Sequence, residues 1–156
     1  MPLATDRPFK AVNIAVLTVS DTRTLADDRS GDTLVERLST AGHFLADRKI
    51  CTDDADIIAE QFRQWIADPG IDVIISTGGT GVTGRDVTPE ALKQVTDKEI
   101  PGFGELFRWL SFQKIATSTV QSRATAAVAD GTYIFVLPGS TGACKDAWDG
   151  ILVHQL

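Results

Sequence analysis

Residues 71–81 read IDVIISTGGTG, a β-branched apolar run that passes straight into glycine and threonine. A short run with little polar alternation is expected of a strand covered on both faces, as in a parallel sheet. The same signature appears at residues 12–19, VNIAVLTV. Between these two strands the pattern calls for a helix from about Ser30, with Ser30 as cap, running through Leu34 and Leu38 to a stop at Gly42. A shorter strand follows around 44–50. Asp53-Asp54-Ala55-Asp56 then opens a second helix, in which Ile58, Phe62 and Trp65 recur at helical spacing and the acidic residues complement the macrodipole. Pro69-Gly70 ends it.

Downstream, Thr88-Pro89-Glu90 predicts a helix start, with Thr88 as cap and Pro89 at the first helical position. Asp130-Gly131 between two apolar runs within 124–137 predicts a hairpin. A last helix is expected over about 141–153. The aromatic segment GFGELFRWLSF (102–112) is read as core or subunit contact, with a flat-ring pocket as the alternative. Alternating β and α units imply a three-layer α/β/α domain whose sheet is mostly parallel, with one antiparallel edge strand.

The chain has 156 residues, a length expected of one domain spanning 1–156, with residues 1–10 as a flexible N-terminal segment. At 43% hydrophobic and 23% charged residues, its composition excludes disordered, collagen-like and coiled-coil classes. It contains no apolar run of bilayer-spanning length and no signal-peptide pattern at its start, so a cytosolic protein without a membrane partner is expected. The net charge is −6 and the pI about 4.8, which weighs against nucleic acid as a partner. An anionic substrate would have to be held by backbone N–H groups, a few local cations or a metal ion. Cys51 and Cys144 lack any paired spacing and read as reduced thiols. His43 and His154 sit in helix-end contexts that suggest no catalysis.

In a parallel sheet, ligands bind beyond the carboxyl ends of the strands. Those ends are Ser20-Asp21-Thr22, Thr52-Asp53-Asp54, Ser76 to Gly81, and Pro138-Gly139-Ser140-Thr141-Gly142. All are rich in hydroxyls, carboxylates or glycine, so the fold should gather them into one polar crevice. In the stretch 77–86, TGGTGVTGRD, glycines following a buried strand let backbone N–H groups approach an anion, and Thr77 and Thr80 add donors. Gly79, Gly81 and Gly84 spell G-x-G-x-x-G, but Pro89 delays the helix that a dinucleotide site would open there, and no acidic residue ends a strand at the required distance. The P-loop pattern fails at Arg85-Asp86, and Pro138 spoils a hydrolase elbow around Ser140.

What remains is a phosphate cradle with Asp86 at its exit. Asp53 and Asp86 are candidate Mg²⁺ ligands beside bound phosphates. A helix-cap role for Asp53 or Asp54 stands as the alternative, whereas Thr88, read as cap, leaves Asp86 without that duty. The loop PGSTGACKDAWDG (138–150) repeats the logic of glycine turn, hydroxyls and helix start, followed by Lys145. Lys145 or Arg85 would offset residual negative charge.

STGGTGVTGRDVTPEAL, PGFGELFR, TSTVQSRA and LPGSTGACKDAW, with the opening VLTVSDTRT…DRSGDTL, resemble in this order the MoaB/MogA family of molybdenum cofactor biosynthesis, over about residues 12–152. FRWLSF and PGSTGACKDAW look closer to the MoaB branch. The resemblance implies a molybdopterin-binding fold assembled as homo-oligomers, trimers or hexamers. It also implies Mg²⁺-dependent transfer of AMP from ATP to molybdopterin, or, as the alternative within the MoaB branch, molybdopterin binding without turnover. It places the family's two functional aspartates on Asp53 and Asp86, and its ligand-binding elements on Ser20, Asp21, Thr77, Gly78, Gly79, Thr80, Gly81, Pro138, Gly139 and Ser140.

Overall fold

A computed structural model describes residues 6–156; of the expected flexible segment, residues 1–5 lie outside the described residues. Six strands form one sheet: β1 (Asn13–Val19), β2 (Phe44–Cys51), β3 (Val73–Thr77), β4 (Lys98–Glu99), β5 (Thr125–Ala129) and β6 (Thr132–Leu137), in the order β2-β1-β3-β6-β5-β4. β2, β1, β3 and β6 run parallel. β5 is antiparallel to β6 through the expected hairpin at Asp130-Gly131, both of which have positive φ, and two-residue β4 pairs along its outer side. The mostly parallel three-layer α/β/α architecture is as the alternation of elements predicts.

Side-chain alternation along β1 explains why its sequence is almost wholly apolar. Ile14 and Val16 enter a core shared with Leu34 and Leu38 of α1 (Arg29–Thr40), Phe103 and Phe107 of α4 (Pro101–Ile115), and Cys144 and Ala147 of α5 (Thr141–Ala147). Ala15, Leu17 and Val19 enter the other, with Ile58, Phe62 and Trp65 of α2 (Ala55–Ile66) and Ala91 and Leu92 of α3 (Thr88–Val95). Phe62 and Phe107 are essentially solvent-free, and each such side chain contributes about 1.5–3 kcal/mol by transfer alone. At the sheet's far side the β1–β2 register shifts between Ile14 and Ala15, so that Ala46 faces no partner.

Local details differ from the sequence reading at four places. Asp28, not Ser30, caps α1, its carboxylate accepting from the Gly31 N–H at 3.0 Å. Buried Asp28 also accepts from the Thr18 hydroxyl at 2.6 Å and pairs with Arg48 at 3.2 Å, a set of tertiary partners that Ser30 lacks. Thr88 does not cap α3; its hydroxyl donates to the Gly78 carbonyl at 2.9 Å, and the helix start has no side-chain cap. His43 is no bystander at a helix end: it is buried against Phe9 and Trp148, and its Nδ1 accepts from the Val12 N–H at 3.1 Å. The last helix loosens into a π-helical turn over Trp148–Leu152 before closing at Val153–Gln155.

Candidate functional site

The strand order reverses around β1, which leaves β2 on one side and β3 on the other, with α1 and α2 on opposite faces of the sheet. A crevice of about 630 Å³ opens beyond the carboxyl ends of these strands, at the switch point where open α/β sheets bind ligands. It brings together Ser20, Asp21, Asp53, Gly78, Gly79, Thr80, Gly81, Asp86, Pro138, Gly139 and Ser140.

Three loops meet there because their backbones approach more closely than side chains allow. Gly78 has φ +105°, and a Cβ on it would lie 2.3 Å from the Val19 carbonyl oxygen. Gly79 has φ +72°, and its Cβ would lie 2.2 Å from the Thr88 hydroxyl. L-residues other than glycine disfavour such backbone, so both requirements select glycine. A Cβ on Gly139 would already sit 3.3 Å from the Gly78 Cα. Ser140 caps α5, accepting from the Ala143 N–H at 3.1 Å.

Polar side chains fix the rim. Ser20 accepts from the N–H groups of Thr22 and Arg23 at 3.2 and 3.1 Å, turning the chain after β1. The Asp21 carboxylate accepts from the Asp53 N–H at 2.9 Å and pairs with Arg85, joining three loops in one contact. Those two donors hold Asp21 below the usual carboxylate range. Asp53 is pushed the other way, first by partial burial and then by the adjacent Asp21 carboxylate. Burial would raise Asp86 as well, but hydrogen bonds from the Thr83 hydroxyl (2.8 Å), the Thr83 N–H (3.0 Å) and the Gly81 N–H outweigh it and lower its pKa. Neither Asp53 nor Asp86 has an ion-pair partner among the described residues.

Two candidates stand outside the crevice. Thr77 is fully buried beneath it, its hydroxyl donating to the Pro138 carbonyl at 2.8 Å and touching the Cys144 sulfur at 3.2 Å. Lys145 is exposed on α5 and does not line the crevice. Thr22, Arg23, Arg85 and Ser122 line it instead. Arg85 follows the cradle directly and was legible as a charge-balancing group. Ser122 arrives from the far side of a 3-10 turn (Ala116–Gln121); it lies within TSTVQSRA, one of the segments that carry the resemblance, but its residue chemistry alone does not point to the crevice. Among the described residues no group of three or more His, Cys, Asp or Glu side chains is placed to hold a metal unaided.

Comparison with known proteins agrees with this geometry. Residues 15–156 match the family model described as a probable molybdopterin-binding domain. Molybdenum cofactor biosynthesis protein B of Escherichia coli K12 is 48% identical over 148 residues, covering 95% of this chain and 87% of that protein. A crystal structure of a molybdenum cofactor biosynthesis protein B superposes with TM-score 0.91 at 39% identity, covering 94% and 92% of the two chains. The tungsten cofactor synthesizing protein MoaB of Pyrococcus furiosus gives TM-score 0.82 at 36% identity, covering 93% and 92%.

Proposed function

The chain belongs to the MoaB/MogA family of molybdopterin-binding domains, and from that membership we propose that it serves molybdenum cofactor biosynthesis by transferring AMP from ATP to molybdopterin. The observation that carries this reading is the glycine-lined crevice with Asp53 and Asp86 on its rim, two carboxylates without a cation of their own. In the reaction, an oxygen of the molybdopterin terminal phosphate attacks the α-phosphorus of ATP. The bond from that phosphorus to the bridging oxygen of the β-phosphate breaks, and pyrophosphate leaves with the electron pair. Adenylyl-molybdopterin is the product.

The protein's part is binding and orientation. The N–H groups of Gly79, Thr80 and Gly139, which have no protein acceptor among the described residues, would receive phosphate oxygens, whereas those of Gly78 and Gly81 are held by the Leu137 carbonyl and by Asp86. The donor set fits Mg²⁺: hard carboxylate oxygens, too few to enclose the ion, leave coordination sites for water and substrate phosphates. Asp53 and Asp86 would hold it. The ion would supply neutralisation of charge on the phosphoryl oxygens. Burial first and the neighbouring Asp21 carboxylate second raise the affinity of Asp53 for a proton, and a divalent cation beside it would relieve the second of these.

Self-association as a trimer or hexamer belongs to the same proposal. Leu106, Trp109, Phe112 and Ile115 are exposed along α4, an apolar surface of the kind that marks association. A cytosolic location, with no nucleic acid or membrane partner, accords with the acidic composition; no helix among the described residues is long and apolar enough to cross a membrane.

Purified protein incubated with molybdopterin and Mg-ATP should release pyrophosphate and form adenylyl-molybdopterin. Retained molybdopterin binding without pyrophosphate release would replace this reading with that of a non-catalytic pterin carrier.

A further inference from the structure

The crevice sets a charge problem that its aspartates make worse. Three carboxylates, Asp21, Asp53 and Asp86, line it against two guanidiniums, Arg23 and Arg85. Arg85 is committed to Asp21, so its charge is already balanced. Lys145 lies elsewhere. Arg23 alone of the crevice cations has no carboxylate within ion-pair distance among the described residues.

Its position is nonetheless fixed. One terminal nitrogen, Nη1, donates to the Ser30 hydroxyl and to the Gly139 carbonyl, each at 3.2 Å, while Ser30 itself donates to the same carbonyl at 2.7 Å. The Arg23 main-chain N–H is held by the Ser20 hydroxyl. Nε and Nη2 have no protein acceptor among the described residues, and the side chain is half-buried at the crevice wall. A guanidinium anchored at one nitrogen keeps its remaining N–H groups in a rigid fork, the geometry that suits phosphate oxygens. Its neighbour Gly139 belongs to one of the loops whose bare amides face the same space.

We infer that Arg23 is a substrate-binding residue, the cation that takes a phosphate or pyrophosphate group in the crevice. The assignment rests on reading the crevice as a phosphate site. It makes Arg23 complementary to the aspartates: they attract a metal ion, whereas Arg23 meets the substrate's own negative charge directly. Neutral bracing of the Gly139 loop could be provided by Ser30 alone, since its hydroxyl already reaches that carbonyl.

The test is titration calorimetry with inorganic pyrophosphate and Mg²⁺ on the full chain. Arg23→Gln should weaken pyrophosphate binding roughly tenfold or more, as loss of a charge-assisted contact implies. Arg23→Lys, which keeps the charge without the fork, should recover part of it. Arg85→Gln should weaken binding by less than Arg23→Gln. Thermal unfolding of each variant separates charge from bracing. Pyrophosphate binding by Arg23→Gln within twofold of the parent overturns the assignment. So does an equal loss in the Gln and Lys variants accompanied by a matching fall in melting temperature, which would make Arg23 a loop brace. A parent protein that does not bind pyrophosphate overturns the phosphate site itself. If the parent binds pyrophosphate through Arg23 yet forms no adenylyl-molybdopterin, the residue assignment stands and the adenylyl-transfer reading falls.

Discussion

Arg123 and Asp86 are joined across 37 residues of sequence by a 2.7 Å hydrogen bond from the guanidinium Nη2 to the Asp86 main-chain carbonyl. The same side chain donates from Nε to the Gly81 carbonyl at 2.7 Å and from Nη1 to Glu90 at 2.7 Å, while its own N–H reaches the Thr80 carbonyl at 2.9 Å. Both ends of the loop that presents Asp86 are therefore stitched to the start of the β5 hairpin. On the proposed adenylyl transfer, with Asp86 holding the metal ion, Arg123→Ala should lower kcat by roughly 10–100-fold, the usual loss when a group orienting a metal ligand is removed. Arg123→Lys should not restore it, because one ammonium cannot span three acceptors. Steady-state pyrophosphate release checks both variants.

Gly79→Ala should destabilise the fold by more than about 1 kcal/mol. Its backbone is left-handed, and the added methyl would collide with the Thr88 hydroxyl that bonds Gly78. Gly84 has open space around its Cβ position, so Gly84→Ala serves as the matched control. Urea unfolding of the two variants provides the comparison.

Asp28→Ala should cost about 2–4 kcal/mol, from loss of a helix cap and of the acceptor for a buried hydroxyl, while Arg48 keeps its ion pair with Asp32 at 2.8 Å. It strips the Thr18 hydroxyl, the α1 cap and Arg48 of their shared acceptor at once. Chemical denaturation at neutral pH reads the loss directly.

His43 gives stability a defined pH dependence. Burial lowers its folded pKa from the ordinary 6.5, so between the two values the unfolded chain binds more protons than the folded one. Its contribution is complete above about pH 6.5 and is lost as pH falls through 6.5 toward the folded value. Protonation at Nδ1 would also remove the acceptor used by Val12. Melting temperatures measured between pH 8 and pH 5 should fall less steeply for His43→Asn than for the parent.

The two thiols should be inert in the native protein. Burial, reinforced by the Asp53 carboxylate, raises Cys51 to about 12, and burial raises Cys144 to about 11. The thiolate is the reacting form, so alkylation by iodoacetamide near pH 7.5 should wait for unfolding. Mass spectrometry before and after denaturant reports it.

Much of this arrangement was legible because burial on both faces writes itself into β1 and β3 as uninterrupted apolar runs. Strand ends then become predictable, and with them the meeting of Asp21, Asp53 and Asp86. What escaped was whatever depends on contacts between distant segments. Asp28 and Ser30 are equally plausible caps in isolation; only Thr18 and Arg48, brought in by the sheet, decide for Asp28. Lys145 follows a glycine turn that looks phosphate-directed, yet helical phase gives Cys144 and Ala147 the inward face and turns Lys145 to solvent. Arg23 and Arg123 were invisible as site residues because the contacts that tie them to the crevice loops reach more than 30 residues along the chain, to the Gly139 carbonyl and to Gly81, Asp86 and Glu90.

The register shift opposite Ile14 bears on how the molecule survives in a crowd of its own kind. β2 is the sheet's open border, and an unpaired strand edge is a template on which further chains can polymerise. Here Ala46 interrupts the ladder and three charged residues, Asp47, Arg48 and Lys49, follow it. A visiting strand would find its hydrogen-bond spacing broken midway and ionic groups beside it, so fibril growth is discouraged at the long border that the described residues leave unpaired.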